Sequence, residues 1–219
     1  MTRLIEVRDL VVRLGDHLVL DGLSFDVDEG ELLCILGPSG SGKSTLLRVL
    51  GGLLRPTAGI VRIAGHAPEQ AWRRSTFIFQ SPRLVPWRTA RGNIRLGQEL
   101  RFGRADEVRT REMITLVGLG EQAERYPAQL SGGERQRVAL ARALALEPEI
   151  MFVDEPFNAL DQPARERLRN ELRGIWQRER RTILFVTHDV AEAEALASRI
   201  LRLPDRPTPV ADPRVAARR

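Results

Sequence analysis

Gly37-Pro38-Ser39-Gly40-Ser41-Gly42-Lys43-Ser44-Thr45 decides the reading of this chain. It follows an unbroken apolar run, Leu32-Leu33-Cys34-Ile35-Leu36, and precedes a helical stretch, Leu46-Leu47-Arg48-Val49-Leu50. A short continuous apolar run predicts a strand buried on both faces, as in a parallel sheet. The glycines let backbone N–H groups turn inward, and the following helix points its positive end the same way, so the segment predicts a phosphate cradle. The spacing fits G-x-x-x-x-G-K-[ST]: Lys43 is placed to reach the β and γ phosphates of a nucleoside triphosphate, and Ser44 to ligate Mg2+. Cys34 reads as a small core residue rather than a nucleophile.

Lys43 is also the only lysine in the chain, all other fixed positive side chains being arginine. Surface sites accept either base. A compact ammonium on a flexible stem suits a phosphate cradle, whereas the planar guanidinium fork has a different shape. The net charge of +5 does not point to nucleic acid, because arginines such as Arg165, Arg167, Arg169 and Arg173 alternate with Glu166 and Glu171 as on a solvated helix face. The 219 residues suffice for one core carrying an inserted lobe, and no apolar run approaches a membrane span. A single cysteine and the absence of an apolar leader at the N-terminus suggest a reducing cytoplasm.

Outward from the loop, residues 4–33 read as strands. Leu23, Phe25 and Val27 alternate with Ser24, Asp26 and Asp28, and Asp28-Glu29-Gly30 supplies a turn. Ile150-Met151-Phe152-Val153 and Ile183-Leu184-Phe185-Val186 repeat the buried-strand composition, so the residues after 36, 153 and 186 are expected to converge beyond the carboxyl ends of a parallel sheet. Between Phe79 and Ile150 helical periodicity takes over, as in the stretch from Val108 to Val117. The proline-rich tail from Pro204 to Arg219 predicts no packed structure.

Two further segments carry chemistry. Asp154 and Glu155 follow a buried strand, where Asp154 can hold Mg2+ through water and Glu155 can orient and deprotonate an attacking water. In Leu130-Ser131-Gly132-Gly133-Glu134, Ser131 and Glu134 form the spacing of a capping box. A cap needs only one small residue, so the pair Gly132 and Gly133, unfavourable in a helix, is read as making room for an approaching anion.

LSGGERQR at 130–137, GPSGSGKST at 37–45 and FVDEP at 152–156 together resemble the ATPase subunit of ABC transporters, over residues 1–203. The resemblance implies an α/β P-loop NTPase fold: a RecA-like core with an N-terminal antiparallel β subdomain, and an inserted α-helical subdomain at about 83–140, with 204–219 as a disordered tail. It further implies that Gln80 senses Mg2+ and water, that Ala159-Leu160-Asp161 forms the D-loop, and that His188 contacts the γ phosphate. ATP would be bound between Gly37–Thr45 of one copy and Ser131, Gly132 and Gly133 of a second copy packed head to tail. The aromatic residue on which such subunits stack adenine is replaced here by Leu14, followed by Gly15, with His17 as the alternative contact.

The interval between Gln80 and Ser131 is too short for the long coiled coils of DNA-repair relatives, which leaves a transporter motor at the cytoplasmic face of the cell membrane. In similar importers a permease inserts a short helix near Gln80 and Arg83-Leu84-Val85-Pro86-Trp87, where Trp87 is either core filler or docking surface. An external solute-binding protein would be an indirect partner. Pro86-Trp87, Asn93 and the 152–161 stretch resemble most the nitrate, taurine and aliphatic sulfonate importers, while importers of pyrimidine-type vitamin precursors share these features. A non-transport regulator that switches without turnover, and an ATPase acting on nucleic acid, are the readings from other classes.

Overall fold

The computed structural model describes residues 2–157, 160 and 162–205. The 206–219 part of the tail, Ala159 and Asp161 lie outside the described residues. Two sheets organise the chain. A three-stranded antiparallel sheet joins β1 (Arg3–Leu14), β2 (His17–Asp28) and β4 (Ala58–Ile63) in the order β2-β1-β4. A five-stranded sheet takes β3 (Leu32–Leu36), β5 (Ser75–Ile78), β6 (Ile150–Asp154), β7 (Thr182–Thr187) and β8 (Arg199–Arg202) in the order β5-β6-β7-β3-β8, with every pairing parallel.

The unbroken apolar runs have their physical explanation in this second sheet. Leu33, Ile35, Ile150, Phe152, Leu184 and Val186 face the antiparallel sheet and the helix α1 (Lys43–Leu50) in one apolar cluster. Their alternate neighbours Leu32, Cys34, Met151, Val153, Ile183 and Phe185 face the second cluster, which includes α5 (Gln162–Glu179), α6 (Val190–Leu196) and the helices between β5 and β6. Both faces of each strand are therefore covered, so no polar alternation survives in the sequence. Cys34 is fully buried, and burial pushes its thiol up to about 12, which makes it an inert core residue.

The register pairs Leu36 with Thr187 and Asp154 with Val186, so β3, β7 and β6 end side by side. Between β5 and β6 lie α2 (Ala90–Phe102), α3 (Glu107–Leu116) and α4 (Gly132–Leu144). Thr89 and Asp106 cap α2 and α3 with their side-chain oxygens, and Gly103 ends α2 in the left-handed conformation. The helical stretch read between Val108 and Val117 is α3, whose buried side is Thr110, Met113 and Ile114. Arg142 of α4 donates to the carbonyls of Pro82 and Arg83, which fastens the segment after Gln80 to the helix that begins at Gly132. Trp87 is 77% exposed, so the core-filler reading fails and its ring is on the surface.

Candidate nucleotide site

The loop from Gly37 to Gly42 runs from the end of β3 into α1, and its glycines are fixed by two different constraints. Gly40 and Gly42 have φ of +85° and +92°, a region that penalises any side chain. At Gly37 the backbone is unexceptional, but a Cβ would lie 2.6 Å from Ser41 Oγ and 3.0 Å from the Leu203 carbonyl. Gly42 caps α1 without any side-chain hydrogen bond, so the first amides of that helix keep their donors for a ligand.

Lys43 is 4% exposed and folds back over its own loop, its Nζ donating to the carbonyls of Gly37 at 2.8 Å and Pro38 at 2.7 Å. Ser39, Gly40, Gly42, Lys43, Ser44, Thr45, Gln80 and Glu155 line a cavity of about 430 Å³. Leu14 and Val19 complete its lining. Gly37, Pro38 and Ser41 do not line it; the first two hold the lysine, and the buried Ser41 fills the space behind Gly37. His17 does not line it either. It stands exposed at the hairpin end of β2, opposite Leu14, while Val19 reaches the cavity in its place.

Glu155 is the junction of the site. Its Oε1 lies 3.5 Å from Lys43 Nζ and its Oε2 3.6 Å from His188 Nδ1, so three strand ends deliver one cation, one carboxylate and one imidazole to a single place. The backbone of Glu155 has φ of +42°, and its amide donates to the Val186 carbonyl. A non-glycine residue held in that region costs on the order of 1 to 3 kcal/mol and occurs preferentially at working sites. Next to it Asp154, 5% exposed, accepts a hydrogen bond from Ser44 Oγ at 2.8 Å. Burial holds the Asp154 carboxyl above the usual carboxylate range, against the Ser44 hydrogen bond and the charges of Arg48 and Lys43.

Ser131, Gly132 and Gly133 form no part of this cavity. They begin α4, where Glu134 N donates to Ser131 Oγ at 3.2 Å and Ser131 N donates to Glu134 Oε2 at 2.7 Å, a complete capping box. The backbone amide of Ser131 accordingly holds the Glu134 carboxyl below its ordinary range. Gly133 has an internal reason to be glycine: a Cβ there would sit 3.1 Å from Leu160 Cδ2. A side chain at 133 would therefore have to displace the tip of Leu160 by a few tenths of an ångström.

A Mg2+-competent hydroxyl and carboxylate, a phosphate cradle at a helix start and a strained carboxylate at the carboxyl ends of a parallel sheet define a P-loop nucleoside triphosphatase. The family model described as ABC transporter matches residues 20–158. The aliphatic sulfonates import ATP-binding protein SsuB 1 of Mesorhizobium japonicum is 43% identical over 92% of this chain and 78% of its own length. The bicarbonate transport ATP-binding protein CmpD of Synechococcus elongatus is 42% identical over 88% of this chain and 71% of its own length. Among solved structures, the dimeric post-hydrolysis state of the ATP-binding cassette MJ0796 bound to ADP and Pi superposes with a TM-score of 0.83 at 32% identity, covering 91% of this chain and 94% of that one. The chain belongs to the ABC transporter family and is an ATP-hydrolysing subunit of that family.

Proposed function

We propose that this chain is the motor subunit of an ABC importer for a small anionic solute of the sulfonate or nitrate type, acting as a head-to-tail dimer on the cytoplasmic face of the cell membrane. The observation that carries the catalytic part is Glu155, poised between Lys43 and His188 at the edge of the phosphate cavity. In that position its carboxylate can accept a proton from water attacking the γ phosphate, with His188 and Gln80 orienting the reacting groups. The Ser44 hydroxyl and the buried Asp154 carboxylate fit Mg2+, because an octahedral oxygen-loving ion needs few protein ligands and would offset the cost of burying the Asp154 charge. When bound, the ion would neutralise charge on the β and γ phosphates. Ser131, Gly132 and Gly133, which do not line the chain's own cavity, support a second copy as the source of the remaining phosphate contacts.

No helix among the described residues is long and apolar enough to cross a membrane, and in the proposed importer the motor docks on a permease. An apolar groove of about 380 Å³ supports that docking; Phe77 and Phe79, on either side of Ile78 and just ahead of Gln80, line it with Leu96 and Leu100 of α2. The solute assignment follows the relatives, whose names include aliphatic sulfonates import and bicarbonate transport. An external solute-binding protein completes the importer without touching this chain. The test is Glu155→Gln: turnover should fall about 100-fold or more while ATP still binds, and a stable dimer should accumulate on gel filtration with ATP. Ordinary turnover by that variant would sink the assignment of the general base.

A further inference from the structure

Glu192 takes no part in the cavity described above, yet it is a carboxylate only 4% exposed. A buried charge is tolerated only when it is well partnered, so its partners show what it is for. Capping does not explain it. Asp189 already caps α6, its Oδ1 accepting from the amides of Ala191 and Glu192. Glu192 Oε2 instead accepts from Thr187 Oγ1 at 2.7 Å, and the same Thr187 hydroxyl accepts from the amide of Asp189 at 3.0 Å. These two bonds pin the residues on both sides of His188. The other carboxylate oxygen reaches across to α5, 3.8 Å from Arg165 Nε, and Arg165 Nη2 donates to the Leu160 carbonyl at 3.3 Å. Leu160 is the residue packed against Gly133.

We propose that Glu192 is a positioning residue that joins the loop of His188 to the seat of Gly133 through Arg165 and Leu160. This rests on the dimer reading given above. In such a dimer His188 faces one nucleotide while Gly132 and Gly133 complete the site of the other, so one chain connects the γ-phosphate end of one cavity to the closing face of the second. A shift of His188 on loss of phosphate pulls on Thr187 and Glu192, and Arg165 carries it to the Leu160 segment. The two sites then turn over cooperatively because of a link inside each subunit.

The test uses the full chain and reads ATP affinity, maximal turnover and the Hill coefficient of hydrolysis. Glu192→Gln keeps an acceptor for Thr187 but loses the charge facing Arg165; ATP affinity should stay within about twofold while the Hill coefficient falls to about 1. Arg165→Gln, at a partly exposed site that does not endanger folding, should do the same, and the double variant should be no worse than either single one. Thr187→Val, nearly isosteric and suited to a buried strand, should lower maximal turnover by about tenfold, with Thr187→Ser restoring it. A wild-type Hill coefficient of 1, additive effects of the two charge variants, or full turnover in Thr187→Val would overturn the link. Absence of ATP hydrolysis by the wild-type chain would strike at the motor reading itself.

Discussion

Two glycine-bearing helix starts of this molecule, those of α1 and α4, look alike in sequence and differ in what they leave open. At α1 the cap is Gly42 in the left-handed conformation, with no side chain satisfying the first amides. At α4 Ser131 and Glu134 satisfy one another's backbone donors, and Leu160 occupies the space beside Gly133. The first leaves its amides open, as a helix start that receives an anion does. The second is a helix end closed by its own capping box, and in the proposed dimer its hydroxyl and the amides of Gly132 and Gly133 would face the second copy. A phosphate site and a site completer can therefore share glycine content while having opposite local energetics.

The largest expected break in this comparison is Lys43→Ala. Removing the charge-assisted contact should weaken ATP binding by about 10-fold to 100-fold, measured by calorimetry on the single chain. Unchanged affinity would show that the open helix end binds phosphate unaided. Ser131→Ala separates the two starts in the other direction. Loss of the cap should lower stability by about 1 kcal/mol in urea titrations, leave ATP affinity of the single chain unchanged, and reduce turnover of the dimer. If affinity of the single chain fell as well, the two starts would belong to one cavity. The smallest effect concerns the base. Leu14 and Val19 offer apolar contact without an aromatic face, so ATP and GTP should bind within about tenfold of one another, and Leu14→Tyr should tighten both by about fivefold or more through stacking. Strong ATP selectivity in the unaltered chain would require a base contact beyond these two side chains.

Much of the site is readable residue by residue because its elements are local. Strand, glycine loop and helix follow one another within residues 32–50, and the capping box spans Ser131 to Glu134. Those arrangements depend on backbone conformation and nearest neighbours, which composition and spacing report directly. Val19 was not legible, since one apolar residue of a strand looks like any other until the sheet places it in a cavity wall. Glu192 was hidden for a similar reason: on a helix of alternating alanine and glutamate it reads as solvated, and only the approach of α5 and Thr187 buries it. The close approach of Leu160 to Gly133 is likewise invisible locally, because contact with a residue 27 positions later leaves no trace in the helix itself.

The sequence by itself determined the phosphate cradle, its single lysine and the buried parallel strands around it, because backbone geometry and two-sided burial constrain residue type at each position. The tertiary structure alone decided the strand order β5-β6-β7-β3-β8, which sets β7 between β6 and β3. That order sets Glu155 within 3.6 Å of both Lys43 and His188, residues 112 and 33 positions away along the chain. Long-range pairing of parallel strands is specified by packing across the whole core, so no local pattern could have stated it.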